Sequence, residues 1–274
     1  MKKILSISLS LMMIALLFTG CAKAKDAAEA AASEAIEAAE SSESAEAAIE
    51  EAAQAVESGS DSDTASAFYG AYIEAKSAVL DRLMDGIGNN PDTMMSTFSF
   101  LGVALSDLYL LPAMYFGLGE TEVASALAIM GAKDVTYNEQ GNQYTITYKD
   151  SNEKQASLTG TYDKAKSLVA TGTTDGAETV YAEVYRTAFG YVGQFYFIAD
   201  DGTATLYQVS VSGADGAFSV ATGVDRPSPL SGSEGMDFPK SAKEWYAISG
   251  STITGVTSEG KSINFEYVPS EDEG

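Results

Sequence analysis

Thr136-Tyr137-Asn138-Glu139-Gln140-Gly141-Asn142-Gln143-Tyr144-Thr145-Ile146-Thr147-Tyr148 is the stretch on which the fold turns. Before Gly131 the apolar residues recur at helical spacing; from here on they alternate. Tyr144, Ile146 and Tyr148 fall on one side of an extended chain, with Thr145 and Thr147 on the other. That is the period-two pattern of a strand with one face buried. Glu139-Gln140-Gly141 lies between two such runs, and its glycine supplies the backbone freedom a tight turn needs. The stretch predicts a β-hairpin.

The same pattern continues toward the C-terminus. Strands are predicted over residues 155–162, 166–172, 178–187, 191–199, 203–212 and 217–224. Between them stand Asp163-Lys164, Thr174-Asp175-Gly176, Asp200-Asp201-Gly202 and Ala214-Asp215-Gly216, all turn formers. Connections this short force antiparallel neighbours, because a parallel crossover needs a dozen residues or more. In residues 191–199, Phe195 and Phe197 share a side with Tyr191, while Val192, Tyr196 and Ile198 share the other with Gln194. Apolar groups on both sides predict a central strand covered twice. Residues 225–245 interrupt the pattern with Pro227, Pro229, Pro239, Gly232 and Gly235. They predict a long surface loop with a short helical turn at 241–245, a loop length often tied to function. A last hairpin is expected from residues 252–257 and 261–268, with Ile263, Phe265 and Tyr267 on one face.

Toward the N-terminus the spacing becomes helical. Asp63 or Thr64 can cap a helix whose stripe is Phe68, Tyr72, Ala75, Val79 and Leu83, ended by Gly86 and Gly88. Asn90-Pro91-Asp92 starts a second helix over residues 93–111, and residues 120–130 form a third. Residues 98–117 carry Asp107 as their sole formal charge and are long enough to cross a bilayer. Asp107, Pro112 and the lack of a flanking basic cluster favour a helix buried by protein, with a membrane span as the alternative. The fold class expected is α+β: N-terminal helices packed on a curved, mostly antiparallel β-meander, half-barrel-like, forming one globular domain over residues 64–269.

Ahead of that domain, residues 22–63 are nearly all Ala, Glu and Ser, with twelve acidic residues against Lys23 and Lys25. Large apolar groups are too few to offset the entropy of ordering, so residues 21–63 read as a solvated spacer. Residues 270–274 read as an acidic tail. At the other end, Lys2 and Lys3 precede an apolar run from Ile4 to Phe18 that is too short to span a membrane. It ends in Phe18-Thr19-Gly20-Cys21, which resembles the lipobox of bacterial lipoproteins. The resemblance implies that residues 1–20 are a signal peptide and that Cys21 becomes the mature N-terminus, carrying a thioether-linked diacylglycerol. Two acyl chains give stable membrane anchoring where one does not. The expected location is the outer face of a bacterial cytoplasmic membrane. Ala22 carries no acidic retention-type signal, which points to a Gram-positive cell surface.

Composition removes whole classes of function. A net charge of −23 repels nucleic acid and anionic headgroups. The absence of histidine takes away the commonest metal ligand and general base, and Cys21 is the single cysteine. No metal site and no cofactor are expected. Asp200-Asp201 reads as a turn former, and Glu183 near Arg186 as a strand-surface charge, so no catalytic constellation emerges and the chain is expected to be non-enzymatic.

A curved meander wrapped on apolar helices, carried by a lipoprotein, resembles the lipid-carrier lipoproteins with a half-open barrel, the LolA and LppX-like type. The resemblance lies in the order of elements, not in sequence motifs. It implies a binding module for a hydrophobic or amphipathic small molecule such as a lipid. The aromatic face of the sheet supplies the candidate lining: Tyr144, Tyr148, Phe195, Phe197, Phe265 and Tyr267. The alternative for these residues is a filled core. The alternative for the whole chain is a structural or interaction lipoprotein that contacts a protein partner or the cell wall.

Overall fold

A computed structural model describes residues 64–90, 93, 96, 102, 103, 106, 113–129, 131–150, 152–164, 166–199 and 201–269. The chain divides into two units, Met1–Ser60 and Asp61–Gly274, and every described residue belongs to the second. The leader, Cys21, the spacer, most of the expected helix 93–111 and the tail lie outside the described residues.

The described part is α+β. Helix α1, Ala65–Gly88, is capped by Thr64, whose side-chain oxygen accepts from the Ala67 amide at 3.1 Å. Its buried residues include Phe68, Tyr69, Tyr72, Lys76, Val79, Leu83 and Ile87, a three- and four-residue spacing that makes one continuous face. Of the two glycines expected to end this helix, Gly88 does and Gly86 does not. A Cβ at Gly86 would overlap Ile253 Cδ1 and press on Tyr267, so the glycine permits close approach of helix and sheet. Helix α2, Glu120–Ile129, follows the expected course and leads into the sheet.

Eleven strands form one open antiparallel sheet in strict chain order, with β1 and β11 as its edges. They are β1 Lys133–Gln140, β2 Gln143–Lys149, β3 Gln155–Asp163, β4 Ser167–Thr174, β5 Ala177–Arg186 and β6 Tyr191–Ile198. Then come β7 Ala204–Ser212, β8 Asp215–Thr222, β9 Glu244–Ser249, β10 Thr252–Val256 and β11 Ser262–Glu266. The first hairpin closes through Gly141-Asn142, with Gly141 at φ 66°, the positive value a two-residue turn of this kind demands at its first central position. Strand β9 corrects the sequence reading. The proline-rich loop ends at residue 243, its helical turn is a 3-10 turn at Phe238–Ser241, and Trp245 to Ile248 pair with both β8 and β10.

One side of the sheet, the inner face, packs against α1. Residues from β2 to β11, including Tyr144, Ile146, Leu168, Phe195, Val209, Phe218, Tyr246 and Ile263, join the helix stripe in a single core. Of residues 98–117, the described Val103, Ser106, Ala113 and Phe116 are buried. Lys76 holds two of them: its Nζ donates to the Val103 carbonyl at 2.6 Å and to Ser106 Oγ at 3.3 Å. Among the described residues, no helix is long and apolar enough to cross a membrane.

Candidate functional site

All six aromatic residues singled out from the sequence lie on the inner face. Tyr144 and Phe195 are buried in the core, and Tyr148, Phe197, Phe265 and Tyr267 pack half-buried against it. They come from β2, β6 and the end of the chain at β11, and all belong to one core. Each has its own local partner where one is described. Tyr144 stacks on Phe116 at 4.9 Å between ring centroids, Phe195 on Tyr72 at 6.0 Å, and Phe197 on Tyr207 at 5.8 Å. The Lys76 ammonium sits 5.5 Å from the Phe195 ring, and the Arg82 guanidinium 5.3 Å from Tyr267. Burial raises the phenol pKa values of Tyr144 and Tyr148, since the anion would lose its water. Helix α1 and the 113–117 segment thus bring their own rings against Phe195 and Tyr144. Cys21 lies outside the described residues.

The opposite, outer face divides in two. Over β5 to β8 it is covered by residues 224–241, which strap across it. Glu183 anchors the strap and is buried, so it is not the strand-surface charge expected beside Arg186. Its Oε2 accepts from Leu230 N at 2.9 Å and from Gln194 Nε2 at 2.6 Å. Burial and the nearby Glu183 carboxylate push the Tyr181 pKa well above the usual phenol value. Gln194 donates onward to the Ser228 carbonyl at 2.8 Å, and Ser210 Oγ donates to the Met236 carbonyl at 2.6 Å. Arg226 closes the near end, 3.9 Å from the Tyr181 ring centroid and 3.3 Å from Glu178. Asp201, by contrast, is the turn former expected: its carboxylate accepts from Thr203 N at 2.8 Å, which lowers its pKa.

Over β1 to β4 no described residue covers the outer face. Cross-strand register sets Asn138, Thr145, Thr159 and Thr171 in one row, and Gln140, Gln143, Thr161 and Val169 in the next. These two rows floor a shallow, open depression of about 430 Å³ over β2 to β4, which shares Gln143 and Thr145 with a smaller hollow of about 140 Å³ over β1 and β2. Its floor is uncharged. The charges at its far end are spent on each other, Lys133 with Glu153 at 2.5 Å and Lys149 with Asp134 at 2.7 Å. Among the described residues, no protein group hydrogen-bonds the side chains of Gln143, Thr145, Thr161 or Thr171. The row ends at Tyr181 and Glu183, the residues paired with Thr171 and Val169, where the strap begins.

These outer-face residues were not singled out from the sequence. The signal was there: Thr145-Ile146-Thr147, Thr159-Gly160-Thr161 and Thr171-Gly172-Thr173 repeat on three consecutive strands. No group of acidic residues among the described residues could hold a metal ion. No protein-family model, curated protein or solved structure matches this chain.

Proposed function

We propose that this chain is a non-enzymatic surface lipoprotein, anchored to the outer face of a bacterial membrane by diacylglycerol on Cys21, whose outer sheet face contacts a partner beyond the membrane. Residues 1–20 are removed on export, residues 21–63 are the tether, and residues 64–269 are the displayed domain. The sheet bends round α1 as a half-barrel, an inference supported by one core that gathers residues from β2 to β11 about a single helix.

The observation that carries this reading is the contrast between the two faces. The aromatic face meets rings of the chain's own helix, whereas the polar face over β1 to β4 keeps an open groove with unspent hydrogen-bonding groups. Of the two functions expected from the sequence, the interaction lipoprotein is therefore favoured over the carrier of a hydrophobic ligand. Fractionation of cells expressing the wild type and Cys21→Ala tests the anchor: the wild type stays with membranes and the variant moves to the soluble fraction. Co-sedimentation with isolated cell walls, and capture of surface proteins by cross-linking, test the face. Thr145→Glu with Thr171→Glu should abolish both. Retention unchanged by that pair, together with tight binding of a fluorescent lipid, would return the function to the inner face.

A further inference from the structure

We infer that the outer-face groove is a binding site for an uncharged, extended, β-1,4-linked glycan chain lying across strands β1 to β4. The inference rests on the reading of this face as the interaction surface and names the ligand it takes.

Three features of the groove point to that chemistry. The first is charge. The floor holds amides, hydroxyls and one valine, with no carboxylate, lysine or arginine among them, in a protein of net charge −23. Such a field repels phosphate- or carboxylate-bearing polymers, and the floor offers no cation to hold them. A neutral polyhydroxylated ligand suffers no such penalty.

The second is hydrogen-bonding type. Thr145, Thr161 and Thr171 present hydroxyls that donate and accept, Thr159 Oγ1, which donates to the Thr171 carbonyl at 3.4 Å, keeps its accepting lone pairs, and Gln143 presents both an amide donor and a carbonyl acceptor. Sugar hydroxyls have the same dual capacity, so either direction of each bond is satisfied without leaving a buried group unpaired. The threonine methyls and Val169 add small apolar patches beside the hydroxyls, suited to the C–H face of a pyranose ring.

The third is repeat. Neighbouring strands stand about 4.8 Å apart, and an extended β-1,4-linked hexose chain advances by nearly the same step per sugar. A chain crossing the strands therefore meets one pair of side chains per residue: Gln143 and Thr145 on β2, Thr161 and Thr159 on β3, Val169 and Thr171 on β4. An α-1,4-linked chain coils and loses the register after one or two sugars. The strap, with Arg226 over Tyr181, blocks passage onto β5, so the site accepts a short run of sugars.

The test uses the full-length chain purified from membranes in mild detergent, titrated calorimetrically with cellohexaose and chitohexaose, and with maltohexaose as the α-linked control. At least one β-linked probe is expected to bind, and maltohexaose at least tenfold more weakly. Thr159→Val with Thr171→Val, which keeps shape and strand propensity, should weaken the β-linked probe tenfold or more, and Thr159→Ser with Thr171→Ser should restore most of it. Gln143→Ala serves as a second probe should the valine pair fail to melt cooperatively. Absence of β-glycan binding at millimolar concentration, equal binding of maltohexaose, or binding untouched by these variants overturns the inference. If no sugar binds while cell-wall or protein capture still depends on Thr145 and Thr171, the glycan assignment falls and the interaction face stands. If neither depends on them, both fall.

Discussion

Replacing Glu183 by alanine should release the strap without unfolding the sheet. The Glu183 carboxylate is buried, and two donors converge on it: Leu230 N–H and Gln194 Nε2. Gln194 retains the Ser228 carbonyl after the change, but Leu230 N–H loses its acceptor. An orphaned buried donor costs about 1–3 kcal/mol, and removing a buried charge gives part of that back, so the net comes to about 1–2 kcal/mol. The strap meets the cost by lifting off, since its other named ties are the Gln194 bond to Ser228, the Ser210 bond to Met236 and the Arg226 pair. At about 1.4 kcal/mol per tenfold, the open population rises roughly five- to thirtyfold. Hydrogen–deuterium exchange over residues 228–236 reads this directly through the Leu230 amide, while strands β2 to β4 serve as the internal reference. Exchange of that peptide within threefold of the wild type would refute the assignment of Glu183 as the anchor. Acceleration spread evenly over every strand would show instead that the carboxylate supports the sheet as a whole.

Three further outcomes are expected. Phe195→Ala should cost about 3–5 kcal/mol in urea unfolding, the penalty of a cavity in a packed core, because Phe195 is stacked on Tyr72 under Lys76; a cost below about 1.5 kcal/mol would revive a ligand cavity on that face. Gly86→Ala should lower the melting temperature, since overpacking at about 1–3 kcal/mol outweighs the ~1 kcal/mol gained in helix propensity, while Gly70→Ala in the same helix, with nothing within 4 Å of its Cβ, should raise it. Stability should hold to about pH 9 and fall as pH rises beyond 10. Burial and the bond to Glu139 push Tyr137 up to about 12, and Tyr181 and Tyr246 are raised further. Above pH 10 the unfolded chain sheds phenolic protons that the folded chain retains, so the unfolded state gains. Melting curves across that range, with tyrosinate absorbance, check it, and tyrosines that ionise at pH 10 in the still-folded protein would contradict it.

Much of the fold was legible because its signals are local. Alternation in Tyr144-Thr145-Ile146-Thr147-Tyr148 assigned both faces of β2, and short turns made the meander the available topology. Strand β9 was hidden by its neighbours: three prolines drew residues 225–245 into one loop, although Trp245, Tyr246 and Ile248 followed by Gly250-Ser251 carry a hairpin pattern of their own. Gly86 read as a helix stop because glycine weakens a helix locally; its use as a gap for Ile253 depends on a residue far along the chain. The same holds for Glu183 and Lys76. A charged side chain in a sequence reads as surface, and only tertiary partners, Leu230 for one and Val103 for the other, reveal it as buried. For the candidate site, the aromatic stripe was found and correctly faced, but whether rings line a space or fill it depends on what α1 brings across.

The strict chain order of the sheet has a consequence for how the protein assembles. Each strand pairs with the one made just before it, so the sheet can grow in sequence with little loop entropy at each step, as local contacts favour. Helix α1 is the exception. It is synthesised first, yet its partners run from Tyr162 on β3 and Phe195 on β6 to Ile253 on β10, and Arg82 reaches the carbonyl of Gly250 at 2.5 Å. The helix is therefore seated strand by strand, and its last contacts close only once β10 exists. A protein truncated before β9 should hold its hairpins in register around a core left open at that end.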